Sequence, residues 1–162
     1  MILGLDPGTT AAGYAFIDGD RAPRLCDAGI LAVSAVDPAL RLRELHTSLL
    51  RLMKRWKPEA VAVEKLFFAA NTRTAMAVAE ARGVLLLTAV LGGTTFYEYT
   101  PAEIKKTITG QGNADKAQLR KMLALTMPET KALKGRDDMF DAIAVALTCH
   151  YKERRSKKFS SL

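Results

Sequence analysis

Apolar and polar positions along the chain repeat with two different periods, and the switches between them mark out the elements. Ile2 to Leu5 is a short apolar run that stops at Asp6-Pro7-Gly8, which reads as a strand entering a turn. Gly13 to Ile17 and Gly29 to Val33 are further strand-like runs, separated by the turn residues Gly19-Asp20 and Pro23. The opening third therefore predicts an antiparallel meander. From Asp37-Pro38 the period lengthens: Leu42, Leu45, Leu49, Leu52, Met53 and Trp56 recur at helical spacing, with Arg41, Arg43, Lys54 and Arg55 mostly elsewhere. Asp37 is placed to cap this helix and Pro38 to open it, while Lys57-Pro58 stops it.

Ala60 to Val63 predicts a strand ending at Glu64, and residues 71 to 91 an alanine-rich helix broken by Gly92-Gly93. Thr95 to Tyr99 is β-branched and aromatic, hence a strand. Thr100-Pro101-Ala102-Glu103 is a capping box that starts a helix ending near Gly110. After the loop Gly110-Gln111-Gly112-Asn113, helices are expected over Asp115–Thr126 and from Asp138 to about His150. This order predicts an α/β fold: a mixed sheet with helices on both faces. Residues 1–151 are expected to form one domain, and the basic, serine-ended stretch 152–162 a flexible tail.

Composition narrows the partners. With 162 residues, 49% of them hydrophobic, the chain is long and apolar enough to bury a core. A net charge of +7 favours a polyanion, either nucleic acid or an anionic membrane surface. Cys26 and Cys149 have no ligand spacing, so they read as reduced apolar residues of a cytoplasmic protein rather than a zinc site or a disulfide. No signal peptide opens the chain, and no apolar run reaches the eighteen or so residues of a membrane span.

The candidate chemistry lies in four acids. Asp6 and Glu64 stand where strands end, the edge of an α/β sheet at which ligands bind. Asp138 and Asp141 share a face at the head of the last helix, whose continuation Ala142 to Leu147 is apolar throughout. If that helix packs over the ends of the first and fourth strands, all four carboxylates converge. Taken singly, each has a plainer role: Asp6 can cap its turn, Asp138 the helix, and Asp141 can favour the helix dipole. Asp137 also shares a face with Asp141, so spacing alone leaves the choice between Asp137 and Asp138 open. Four carboxylates suit magnesium or manganese, and two such ions about 3.5–4 Å apart form the clamp used in phosphodiester hydrolysis. Lys105, Lys106, Lys116, Arg120 and Lys121, with Arg73 and Arg82, make a candidate phosphate track. Phe67-Phe68 follows Glu64 outside any strand, and Phe67 is expected to be exposed and to stack on unpaired bases. Trp56, His46 and His150 read as structural.

These motifs together resemble the RuvC Holliday-junction resolvases. Ile2-Leu3-Gly4-Leu5-Asp6-Pro7-Gly8-Thr9 with Gly13-Tyr14 resembles the family's opening motif, and Val61-Ala62-Val63-Glu64 with Phe67 and Asn71 its second. Ala81-Arg82-Gly83 matches a further signature. Ile104-Lys105-Lys106-Thr107, Gly110-Gln111-Gly112 and Lys116 resemble the basic segment, and Asp138-Met139-Phe140-Asp141-Ala142-Ile143-Ala144 the closing motif. The match runs in register over about residues 1 to 150, and the ordered set is far more specific than any member. The resemblance implies a ribonuclease H-like fold and a homodimer. It implies a metal-dependent endonuclease that resolves four-way junctions by paired symmetric nicks in recombination and repair, with a branch-migration motor complex as an associated partner. It places Asp6, Glu64, Asp138 and Asp141 as catalytic ligands of two magnesium ions per subunit, manganese being able to substitute, and it selects Asp138 over Asp137. DNA binding is expected of Phe67, Asn71, Arg73, Lys105, Lys106, Lys116 and Arg120. Lys65 departs from the pattern, since many relatives carry an uncharged polar residue there.

Other readings are weaker. Asp6-Pro7-Gly8-Thr9-Thr10 also resembles the phosphate-binding turn of actin-like kinases and ATPases, but those need two such domains. A non-catalytic nucleic-acid-binding domain would have no use for all four acids. A related RNA-processing nuclease would share the metal chemistry and is separated only by substrate.

Overall fold

The computed structural model describes residues 1–8, 11–65 and 72–159, with residues 72–74 and 154–159 as backbone only. Strands β1 (Ile2–Asp6), β2 (Ala11–Asp18) and β3 (Arg24–Ala32) precede helix α1 (Pro38–Trp56). Strand β4 (Ala60–Glu64), helix α2 (Thr72–Leu91) and strand β5 (Thr95–Tyr99) follow. The chain closes with α3 (Pro101–Thr109), α4 (Lys116–Thr126), a short 3-10 turn at Pro128–Ala132, and α5 (Asp137–Phe159).

The two caps expected from sequence form: the Asp37 carboxylate accepts from the Leu40 N–H, and Thr100 and Glu103 make a reciprocal capping box. Asp115, expected inside its helix, instead caps it in a further box with Gln118. The five strands lie in the order β3-β2-β1-β4-β5. β2 is antiparallel to both β1 and β3, while β4 is parallel to β1 and β5 to β4. In that register Leu5 lies beside Val63, so Asp6 and Glu64 emerge together at one edge.

Strand alternation decides which way those acids face. Leu3, Leu5, Val61 and Val63 join Leu45, Leu49 and Met53 of α1 and Ala81, Leu85 and Ala89 of α2 in one core layer. Ile2, Ala60 and Ala62 join the α3, α4 and α5 residues in the other. Asp6 and Glu64 continue the second series and therefore face α5. That helix is fully buried from Ala142 to Leu147, as expected of a helix apolar on every side. Its close approach depends on glycine. A methyl at Gly4 would strike the Ala142 carbonyl oxygen and reach 2.7 Å from the Ala146 nitrogen, and one at Gly13 would strike the Asp138 carbonyl. Gly13 thus lets the head of α5 settle beside the end of β1.

The structure extends two elements beyond their sequence limits. β3 begins at Arg24 rather than Gly29, pairing along β2 with a register shift at Phe16/Ile17. α5 continues to Phe159, past the end at about His150 expected from sequence. Polar anchors explain that extension: Lys152 Nζ lies 2.7 Å from Glu103 Oε1, and the Tyr99 hydroxyl donates to Glu153 at 2.9 Å. Trp56 stacks on Phe16 and donates to Asp27, and His46 Nδ1 meets the Thr88 hydroxyl, both structural as expected. Among the described residues no helix is long and apolar enough to cross a membrane.

Candidate active site

Three elements deliver the four acids to one edge of the sheet. Asp6 ends β1, Glu64 ends β4, and Asp138 and Asp141 lie in the first turns of α5. Burial pushes the Asp6 carboxyl up to about 8, and the charges of Asp141, Glu64 and Asp138 add to the shift, with Lys116 opposing it. Glu64 is raised by burial and by Asp141, against Lys105 and Lys116. Asp141 is raised chiefly by burial, Lys116 opposing and Asp137 and Asp138 adding. The acids feel one another through a largely buried environment.

The two neighbouring aspartates have different surroundings. Asp138 acts on Asp6, whereas Asp137 is not among the charges that move Asp6. Asp137 instead turns outward, its Oδ2 3.0 Å from Lys116 Nζ and its Oδ1 2.5 Å from Arg120 Nη2. Asp138 is paired at 3.0 Å with Arg136 Nε, and Asp141 lies 3.7 Å from Lys116 Nζ. Among the described residues, no three acid, histidine or cysteine side chains sit close enough to form a ready-made metal cage. Arg136 and Lys116 each engage one of the carboxylates.

A cavity of about 220 Å³ opens beside the cluster, lined by Glu64, Asp141, Lys105, Lys116 and Asp115 over Ile104 and Leu119. Lys105 and Lys116 thus face the acids. Lys106 does not line this cleft. It borders a larger groove of about 910 Å³ on the other flank of α3, with Glu103, Tyr151 and Lys152 and no carboxylate cluster. Arg120 does not line the cleft; it pairs with Asp137, and its guanidinium lies 4.2 Å above the Phe140 ring. Arg82 leaves the expected phosphate track: it is mostly covered and ion-paired to Glu98. Lys65 is exposed, and its N–H donates to the Tyr99 carbonyl, continuing the ladder beyond Glu64. Phe67, Phe68 and Asn71 lie outside the described residues, as does the Arg73 side chain. The pairings of Asp137 and Glu98 carry no local sequence signal, because each depends on tertiary placement.

A model of the crossover junction endodeoxyribonuclease RuvC family matches residues 2–150 of this chain. The chain belongs to the RuvC family. A RuvC from Caldicellulosiruptor saccharolyticus is 40% identical over 152 residues, covering 92% of this chain and 90% of that protein. The solved Thermus thermophilus RuvC superposes with a TM-score of 0.85 at 29% identity, covering 96% of each chain. A second Thermus thermophilus structure, described as RuvC in complex with Holliday junction substrate, gives 0.85 at 31% identity over 96% of this chain and 95% of that one. The mixed sheet is therefore the ribonuclease H-like fold of the RuvC proteins, as the sequence motifs implied.

The electrostatics of this acid cluster predict a pH dependence. Asp6 has a folded pKa of about 8 against an ordinary value of 3.8, so the folded state holds a proton that the unfolded chain has released. Stability of the ion-free protein should fall as pH rises from about 4 to about 8, and the Asp6 contribution to the loss should be complete above that. Glu64 and Asp141 act in the same direction. Thermal melts in chelator across this range should show the decline, and Asp6→Asn should flatten much of it. Parallel curves for the two proteins would show that Asp6 is not the group under strain.

Proposed function

We propose that the protein is an endonuclease that resolves four-way DNA junctions by paired symmetric nicks, using Asp6, Glu64, Asp138 and Asp141 as its metal-binding carboxylates. The observation that carries this reading is the gathering of these acids from β1, β4 and α5, with Asp6 pushed to about 8. A buried carboxyl among like charges is one whose ionised form a bound cation would stabilise. The donor set, all oxygen, fits magnesium or manganese, and two ions per chain is the count we propose. Bound there, they would supply the Lewis acidity and lowered water pKa that hydrolysis of a phosphodiester requires.

The chain's own residues do the positioning. Water adds to phosphorus in line, the P–O3′ bond breaks, and the products are a 3′-hydroxyl and a 5′-phosphate. Lys105 and Lys116, which both line the cleft, are placed to hold the non-bridging oxygens as charge builds on them. Lys116 has its pKa raised, first by its hydrogen bond to Asp137 and also by Asp141, so it serves as a fixed positive charge rather than a proton shuttle. Arg120 extends the cationic surface outward from the cleft. Phe67, Asn71 and Arg73 complete the proposed DNA contacts from the segment after Glu64.

Symmetric cutting requires two sites, and α2 offers a surface for pairing them. Met76, Leu87, Val90 and Leu91 are exposed apolar residues of this helix. Gly83 lies among them, and a methyl added there would meet nothing within 4 Å in its own chain. A mid-helix glycine costs about 1 kcal/mol relative to alanine, so its use fits close approach by a second helix. We assign the homodimer contact to this face. Leu87→Glu should convert a dimer to a folded monomer in sedimentation. A dimer that survives this change would place the contact elsewhere.

The function itself is tested with a synthetic four-way junction, a linear duplex of the same sequence and an RNA counterpart, each incubated with magnesium. Cleavage confined to the junction is expected. Equal cutting of the duplex would indicate a general nuclease, and preference for RNA the processing enzyme.

A further inference from the structure

We infer that Asp137 is an electrostatic brake on DNA binding: a phosphate mimic that occupies Lys116 and Arg120 in the free protein and competes with the DNA backbone for them. The inference rests on the proposed role of these two cations in phosphate contact. A carboxylate and a phosphodiester each present two equivalent oxygens sharing one negative charge. In Asp137 each oxygen is taken by a different cation, Oδ1 by Arg120 at 2.5 Å and Oδ2 by Lys116 at 3.0 Å. This is how two basic residues grip a backbone phosphate.

Asp137 adds to the rise of the Asp141 carboxyl, but behind burial and against the larger opposing effect of Lys116. It is not among the groups that shift Asp6, and half its side chain is exposed. As a first-turn acid it favours the helix dipole, but Asp138 stands in the same turn. Nor do the two cations depend on it for their positions. Lys116 also has Asp141 at 3.7 Å, and the Arg120 guanidinium rests over Phe140. Without Asp137 both would keep these contacts beside the head of α5, with one negative charge fewer to offset them. DNA must displace Asp137 or share the cations with it, so this residue subtracts affinity wherever a phosphate reaches the head of α5.

The test is junction binding by fluorescence anisotropy without divalent ion, over a salt series. Asp137→Asn should bind roughly three- to tenfold more tightly at low salt, the range one or two exposed ion pairs supply. The slope of log affinity against log salt should steepen by about one, as for one more neutralised phosphate. The double variant Lys116→Gln/Arg120→Gln should bind more weakly than wild type, and adding Asp137→Asn to it should restore little, since the effect acts through those cations. If that double variant binds as well as wild type, the phosphate-contact assignment fails and takes the brake with it. If it binds weakly but Asp137→Asn alone gives no gain and an unchanged slope, the brake is overturned while the assignment stands. A gain that persists undiminished in the double background would mark a general charge effect and would also overturn it.

Discussion

Asp6→Asn should reduce junction cleavage by more than about a thousandfold while leaving junction binding and the fold intact. Asparagine keeps the size of the side chain and removes the charge, so the packing of β1 under α5 is undisturbed. What is lost is the carboxylate at the centre of the cluster, the one on which the charges of Glu64, Asp138 and Asp141 all act. Groups that merely support a metal ligand typically account for 10–100-fold in activity or affinity, so a ligand itself should cost more. The variant should also melt higher than wild type at pH 8 in chelator, because the buried charge is gone. Gain of stability with loss of turnover separates a functional carboxylate from a structural one. Cleavage within tenfold of wild type would remove Asp6 from the site.

Gly4→Ala should destabilise the protein by upward of about 3 kcal/mol, at the high end for an overpacked core. The added methyl has nowhere to go: it meets the Ala142 carbonyl and lies 2.7 Å from the Ala146 nitrogen and 2.8 Å from its Cβ. Two of these are backbone atoms of a helix buried on all sides from Ala142 to Leu147, so relief requires α5 to lift from the sheet. Loss of that order is a large share of the stability of an ordinary domain. Gly13→Ala acts at the other end of the same contact, against the Asp138 carbonyl, and should displace the α5 head. Urea denaturation measures both. A Gly4→Ala midpoint close to wild type would mean that α5 does not pack as closely on β1 as described.

Much of this site is legible in the amino-acid order because its parts are local. A strand that ends on an acid, a capping box, and an aspartate pair heading an apolar helix each show within a few residues. That is how Asp6, Glu64 and the α3 and α4 starts come out directly. What is not legible depends on residues brought together from a distance. Residues 152–159 read as a polar tail, yet α5 continues through them, anchored by Lys152 to Glu103 and by Glu153 to Tyr99. Arg82 reads as a free cation until Glu98 of β5 is beside it. Asp137 and Asp138 are interchangeable by spacing, and only the packing of α5 turns one towards Asp6 and the other towards α4. Lys105 and Lys106 are adjacent in sequence, but α3 directs one into the cleft and the other into the groove on its far flank.

The most direct test of the account labels each of the four strands of a synthetic junction in turn and maps the cuts made by the wild-type protein with magnesium. The account predicts two nicks, on opposed strands and at matching positions about the crossover, with 5′-phosphate ends that ligate directly. Cuts scattered through the arms, or nicks on a single strand with no partner, would contradict it.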